Sequence, residues 1–218
     1  LAAWMENSDM YHLTPLLNST LNDWPRCDNL KLGAIPASKL ETGIWRVLQD
    51  LSSALEHIRS KGFVHVDVKP SNVLVRRGAT LVWDRFLLND FGQARPLDGT
   101  KAVKARGLGE WRYRPPEILE RTASLRHDGE AVDKIESNYD IYSLGLVVLD
   151  ILVGTILPLK ALEKIREGNI DDFLGETKWS SKLKRLVAEM MSFEALKRPT
   201  SAEIVKKCEN GILGKFSE

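Results

Sequence analysis

Cysteine is almost missing from this chain: Cys27 and Cys208 are the two among 218 residues. They lie far apart and form no C-x-x-C pair, which excludes a disulfide scaffold and fits a reducing compartment. An excess of one charge is missing too. Thirty-one Lys and Arg face 30 Asp and Glu, a formal net charge of +1, so no global field draws the chain to nucleic acid or an acidic bilayer. The longest apolar run, Leu144 to Leu157, is broken by Asp150 and is too short to span a membrane. No signal-peptide pattern, internal repeat or low-complexity tract occurs. Asn18-Ser19-Thr20 matches a glycosylation acceptor, against which the compartment argues. The first sixty residues contain no Gly-x-Gly, Gly33 and Gly43 being isolated. The expected location is intracellular, cytoplasmic or nuclear, with no nucleic-acid partner and no membrane span.

With 43% hydrophobic residues the chain can bury one good core. Ile44, Leu48, Leu51, Leu55 and Ile58 recur at alternating spacings of four and three, one face of a helix that Gly62 ends. Ser38-Lys39-Leu40-Glu41 reads as its capping box, and Thr200-Ser201-Ala202-Glu203 as a second one, opening a last helix through Ile204, Val205 and Cys208. Tyr139 to Val153 is apolar nearly all round, the signature of a buried helix, and Gly154 closes it. Pro158 to Arg166 predicts a smaller helix, and Leu183, Leu186, Val187, Met190 and Met191 another apolar face. Asp9 to Leu21 is read as a short helix and Asn22 to Pro36 as a loop. Val73–Val75 and Phe86–Leu88 are short strands flanking a protruding connection, and Arg121 to Ser137 is a polar excursion.

Chemistry concentrates in His65-Val66-Asp67-Val68-Lys69-Pro70-Ser71-Asn72. Asp67 can accept a proton, Lys69 can neutralise developing negative charge, and the Asn72 carbonyl suits a hard cation. Eighteen residues beyond Asn72, Asn89-Asp90-Phe91-Gly92 adds a second carboxylate. An amide and a carboxylate joined by a hairpin suit Mg²⁺.

These two stretches resemble the catalytic loop (65–72) and the metal-binding triplet of eukaryotic-type protein kinases. Arg114-Pro115-Pro116-Glu117 resembles the end of the activation segment, here 90–117. Tyr139-Asp140-Ile141-Tyr142-Ser143-Leu144-Gly145 resembles the start of the central helix, and Lys197-Arg198-Pro199-Thr200 carries the arginine that pairs with the segment's glutamate. The resemblance implies a mainly α fold: the C-terminal helical lobe over residues 9–218, with a small β-hairpin at the catalytic site. Residues 1–8 would be the last strand of the N-terminal lobe and the hinge, the rest of that β-rich lobe being absent from this chain. It implies transfer of the ATP γ-phosphate to Ser/Thr hydroxyls of a protein substrate, with the fragment alone inactive. Asp67 would be the base and Lys69 the phosphoryl-charge partner. Asn72 and Asp90 would hold Mg²⁺. Met5 (gatekeeper), Glu6, Ser8 and Leu74 (adenine floor) would meet the nucleotide. The alternative is a pseudokinase or scaffold lobe. Oligomeric state is not legible.

The resemblance assigns architecture rather than chemistry to five residues. His65 stacks on Phe91, Asp140 anchors the loop backbone, and Glu117 pairs with Arg198. Two departures stand out. Glu110 occupies the place of a threonine that bonds the catalytic aspartate and lysine; it can pair with Lys69 and repels Asp67. Val66 replaces the arginine that receives a phosphorylated activation segment. Thr100→Ala in the full-length protein is therefore expected to leave phosphotransfer within about threefold, since valine cannot supply a guanidinium to a phosphate. A loss of a hundredfold or more would show that another basic side chain fills that role.

Overall fold

The computed structural model describes residues 2–6, 9–13, 16–17, 19–24, 36–78, 84–97, 103–104, 109–119, 131–132, 138–175 and 178–213. Strands β1 (Ala2–Glu6) and β2 (Asp9–Leu13) pair antiparallel, with Met5 opposite Met10 and Glu6 opposite Asp9. The short helix expected from Asp9 is therefore a strand. Pro15 has no N–H and disfavours helical geometry at the residue before it, while β1 offers the segment a complete ladder. Strand β3 (Ser19–Thr20) joins β5 (Val73–Arg76) and β6 (Arg85–Leu88) in a three-stranded sheet, so the expected hairpin has a third member. Strand β4 (Phe63–Val64) pairs with β7 (Arg95–Pro96), and β8 (Val103–Lys104) with β9 (Ala131–Val132).

Among the described residues the bulk is carried by α1 (Ala37–Ser60), α2 (Tyr139–Val153), α3 (Leu159–Arg166), α4 (Asp171–Leu174), α5 (Ser181–Met190) and α6 (Ser201–Leu213). The predicted face of α1 is buried from Ile44 to Leu55, with Ile58 packed at its margin. Leu144, Leu146, Val147, Val148 and Leu149 of α2 are fully buried. Each such side chain contributes about 1.5–3 kcal/mol relative to exposure. Gly154 closes α2 at φ +77°, a conformation that costs glycine little. Gly145 lets α5 approach: a Cβ there would lie 2.7 Å from Met191 Cγ. Among the described residues no helix is long and apolar enough to cross a membrane.

The two capping boxes part company. At α6, Thr200 N–H donates to Glu203 at 2.8 Å and Glu203 N–H donates back to Thr200 Oγ1 at 3.2 Å. At α1 there is none: Pro36 takes the N-cap position without a side-chain bond. Glu41 is buried, accepting from Trp45 Nε1 at 3.2 Å and from Ser180 Oγ at 2.6 Å. Tertiary donors claim the carboxylate that local pattern assigns to the cap.

Of the connection expected to protrude between β5 and β6, residues 79–83 lie outside the described set. Its described end is tied down: buried Asp84 accepts from Trp24 Nε1 at 2.9 Å and Gly78 N–H at 2.8 Å. Within the expected excursion 121–137, the described residues 131–132 form β9.

Arg198 joins the activation segment to the helical core. Its Nη1 and Nη2 donate to Glu117 Oε1 and Oε2 at 2.8 and 2.7 Å, its Nε donates to the Ser192 carbonyl at 2.9 Å, and its guanidinium lies 5.0 Å from the Tyr142 ring centre. Truncating one partner of such a pair strands the other. Arg198→Ala should lower unfolding free energy by about 3–5 kcal/mol, read as a shifted denaturation midpoint at unchanged slope. A loss below about 1 kcal/mol, the range of exposed pairs, would contradict the buried geometry.

Candidate active site

The loop from His65 to Asn72 hangs from α2 by one carboxylate. Asp140, buried in the first turn of that helix, accepts the N–H of His65 at 2.7 Å and of Val66 at 2.8 Å. Burial pushes its pKa up to about 7, against the pull of the two N–H groups. Val66 stands at φ +74°, where a β-branched residue is strained by about 1–3 kcal/mol. Opposite it, Gly109 leaves room that no other residue could: a Cβ there would lie 2.3 Å from the Val66 carbonyl oxygen. Buried Arg114 donates to the Gly109 carbonyl at 2.8 Å through Nη2. The strain at Val66 is thus clamped from both sides, and it turns Asp67 toward the activation segment.

Asp67 is nearly buried, and both its oxygens are engaged. Oδ1 accepts the Glu110 N–H at 2.9 Å; Oδ2 accepts Asn72 Nδ2 at 2.8 Å and meets Lys69 Nζ at 2.8 Å. Burial alone would raise this carboxyl, but Lys69, the Glu110 N–H and Asn72 outweigh it and hold the pKa below its ordinary value. Lys69 also meets Glu110 Oε2 at 3.5 Å; burial lowers its pKa, and the two carboxylates more than reverse that. The expected pairing of Glu110 with Lys69 is present. The expected repulsion of Asp67 is offset by a backbone bond that residue type alone does not reveal.

Asn72 and Asp90 are brought together by the β5–β6 register: Val73 faces Leu88, and Asn89 N–H donates to the Asn72 carbonyl at 2.8 Å. Asn72 Nδ2 is spent on Asp67, which leaves its Oδ1 as the atom it can offer a cation. Asp90 is exposed at φ +60°, its Oδ1 accepting Gly92 N–H at 3.2 Å. Among the described residues no three His, Cys, Asp or Glu converge on one point. A hard cation here would take two protein oxygens and complete its shell elsewhere, which suits Mg²⁺ with its waters and substrate phosphates.

Of the residues expected at the nucleotide, Leu74 lies in β5, half-buried, opposite Leu87 and Thr20. Met5 and Glu6 lie in β1, and Ser8 falls outside the described residues. Sequence reasoning missed a second cluster beside the site. Asp150, the charge inside the apolar helix α2, accepts Arg112 Nη2 at 3.1 Å, Tyr113 OH at 3.3 Å and Leu157 N–H at 3.2 Å. Only its position in an otherwise apolar run hinted at such a role.

The fold and this loop are of the protein-kinase type. The protein kinase domain profile matches residues 3–208, and the chain belongs to the protein kinase family. It is 30% identical to a Wee1-like protein kinase of Arabidopsis thaliana over 206 residues, 94% of this chain and 35% of that protein. It is 29% identical to a membrane-associated tyrosine- and threonine-specific cdc2-inhibitory kinase, wee-1.3, of Caenorhabditis briggsae, over 94% of this chain and 27% of that one. The chain spans about a third of the length of these curated relatives. The structure of the yeast RNA polymerase II CTD kinase complex CTDK-1 shares the fold at TM-score 0.68, with 15% identity, over 94% of this chain and 72% of that one. The match from residue 3 counts β1 and β2 within the kinase domain, and the division into a hinge and a lone C-terminal lobe is not drawn by it.

His65 is fully buried. Its Nε2 lies 3.0 Å from the Asn89 carbonyl, and its Nδ1 3.3 Å from the Asp67 N–H, which it accepts; its ring meets Phe91 edge-on at 4.9 Å. That pattern requires the neutral ring with the proton on Nε2. Burial holds its pKa below the usual 6.5, so the unfolded chain takes up the proton first. The stabilisation is complete above the unfolded value and is lost as pH falls through it toward the folded one. The stability gap between wild type and His65→Phe should therefore shrink from pH 7.5 to pH 5. A gap that widens would mean that the ring is held charged.

Proposed function

We propose that this chain carries the catalytic loop and the metal-binding end of an ATP- and Mg²⁺-dependent protein kinase acting on Ser/Thr hydroxyls of proteins. The observation that carries the reading is the Asp67 carboxylate, held below its ordinary pKa and set between Lys69, Asn72 and the Glu110 N–H. In phosphoryl transfer the acceptor oxygen forms a bond to the γ-phosphorus, the bond to the β-bridging oxygen breaks, and the hydroxyl proton passes to Asp67. Lys69 neutralises charge on the migrating group. Asn72 Oδ1 and Asp90 would hold Mg²⁺, which supplies charge neutralisation at the phosphates. Met5, Glu6 and Ser8 are assigned to the hinge and Leu74 to the adenine floor. We read the chain as the C-terminal lobe.

Lysine two residues after the base supports the Ser/Thr assignment. Glu110 in place of threonine, and relatives described as tyrosine- and threonine-specific, favour a second reading in which tyrosine is also an acceptor. Phosphoamino-acid analysis of a labelled substrate separates the two. In the full-length protein Asp67→Asn should keep Mg²⁺–ATP binding while turnover falls by about a hundredfold or more, within the range of general-base losses. Asp90→Asn should weaken Mg²⁺–ATP binding and turnover together. Equal label transfer by wild type and Asp67→Asn would exclude the assigned base, and no transfer by either would favour a scaffold.

A further inference from the structure

We propose that Glu110 is a positioning residue for phosphoryl transfer, a second anionic seat for the Lys69 ammonium beside Asp67. The inference rests on the kinase reading of the same site. Lys69 Nζ lies 2.8 Å from Asp67 Oδ2 and 3.5 Å from Glu110 Oε2. The first contact occupies an oxygen that a substrate hydroxyl must reach, because Oδ1 is already committed to the Glu110 N–H and Oδ2 also accepts Asn72. With Asp67 as its one carboxylate partner, Lys69 would have to give up that carboxylate when a hydroxyl arrives. With Glu110 alongside, the ammonium can move from one carboxylate to the other and remain paired at each stage.

The seat is built rather than incidental. Residue 110 is fixed by its N–H on Asp67, by Arg114 on the preceding carbonyl, and by the contact of Gly109 with the Val66 carbonyl, too close for any Cβ. The 3-10 turn Trp111–Tyr113 follows at once, and its Tyr113 N–H donates to the Glu110 carbonyl at 3.0 Å. The backbone is held while the carboxylate, about half exposed, is free to swing toward Lys69. Threonine here could not offer a charge. The Glu110 carboxylate changes how the lysine is held, and so the energy of the state in which Asp67 is open to substrate.

The test is steady-state kinetics on the full-length protein with a peptide substrate and Mg²⁺–ATP. Glu110→Gln is expected to lower kcat about fivefold, since a charge contact strengthened toward the transition state appears in kcat, with KM for ATP changed less than twofold. Glu110→Asp, which restores the charge on a shorter arm, should recover at least half of the loss. In a Lys69→Ala background Glu110→Gln should have no further effect on kcat, because its partner is gone. Equal thermal midpoints for wild type and Glu110→Gln show that folding is unchanged; were they unequal, the comparison within the Lys69→Ala background decides. A Glu110→Gln enzyme within 1.5-fold of wild type, or the same loss with and without Lys69, would overturn this inference while leaving the kinase reading intact. Wild type transferring no more label than Asp67→Asn would overturn both.

Discussion

The loop 65–72 depends on a single buried carboxylate. Asp140 reaches from the first turn of α2 to two consecutive N–H groups of the loop, at 2.7 and 2.8 Å. Because α2 is the most thoroughly buried helix, the loop inherits the rigidity of the core. The positive φ at Val66 can persist only under that restraint. From it follow the direction of Asp67 and the Gly109 contact that brings the Glu110 N–H to it.

A second layer of charge ties the activation segment to the same helix. Arg198 grips Glu117, while Asp150 gathers Arg112, Tyr113 and the Leu157 N–H. Burial raises the Asp150 carboxyl, and Arg112 pulls it back first among several partners. Buried pairs of this kind contribute little net stability against apolar replacements, but they are costly to break singly. Their effect is to hold the segment from Gly109 to Glu117 in one place, the condition for any residue of that segment to meet Asp67.

Local pattern served well where the environment agreed with it. The faces of α1 and α5, the apolar girth of α2, its glycine stop and the capping box of α6 all follow from short-range periodicity and capping chemistry, and the structure shows each. The pattern misled where another partner had the stronger claim. Glu41 bonds Trp45 and Ser180 instead of a helix end, and Asp9–Leu13 pairs with β1 instead of coiling. Ser180 lies 139 residues from Glu41, beyond any window, whereas β1 is a neighbour in the chain and makes a hairpin where a helix was expected.

Residue type and spacing alone bring Asp67, Lys69, Asn72 and Asp90 forward as the candidate groups of the site, with Val66 and Glu110 visible as departures. Only the tertiary structure decided how those groups are engaged. That Lys69 sits between two carboxylates, that a backbone N–H of residue 110 answers Asp67, and that the charge inside α2 binds an arginine and a tyrosine depend on contacts across 37 to 43 residues of chain. The reason is physical. Residue type sets what a side chain can donate or accept, whereas the partner it meets is set by how the helices pack.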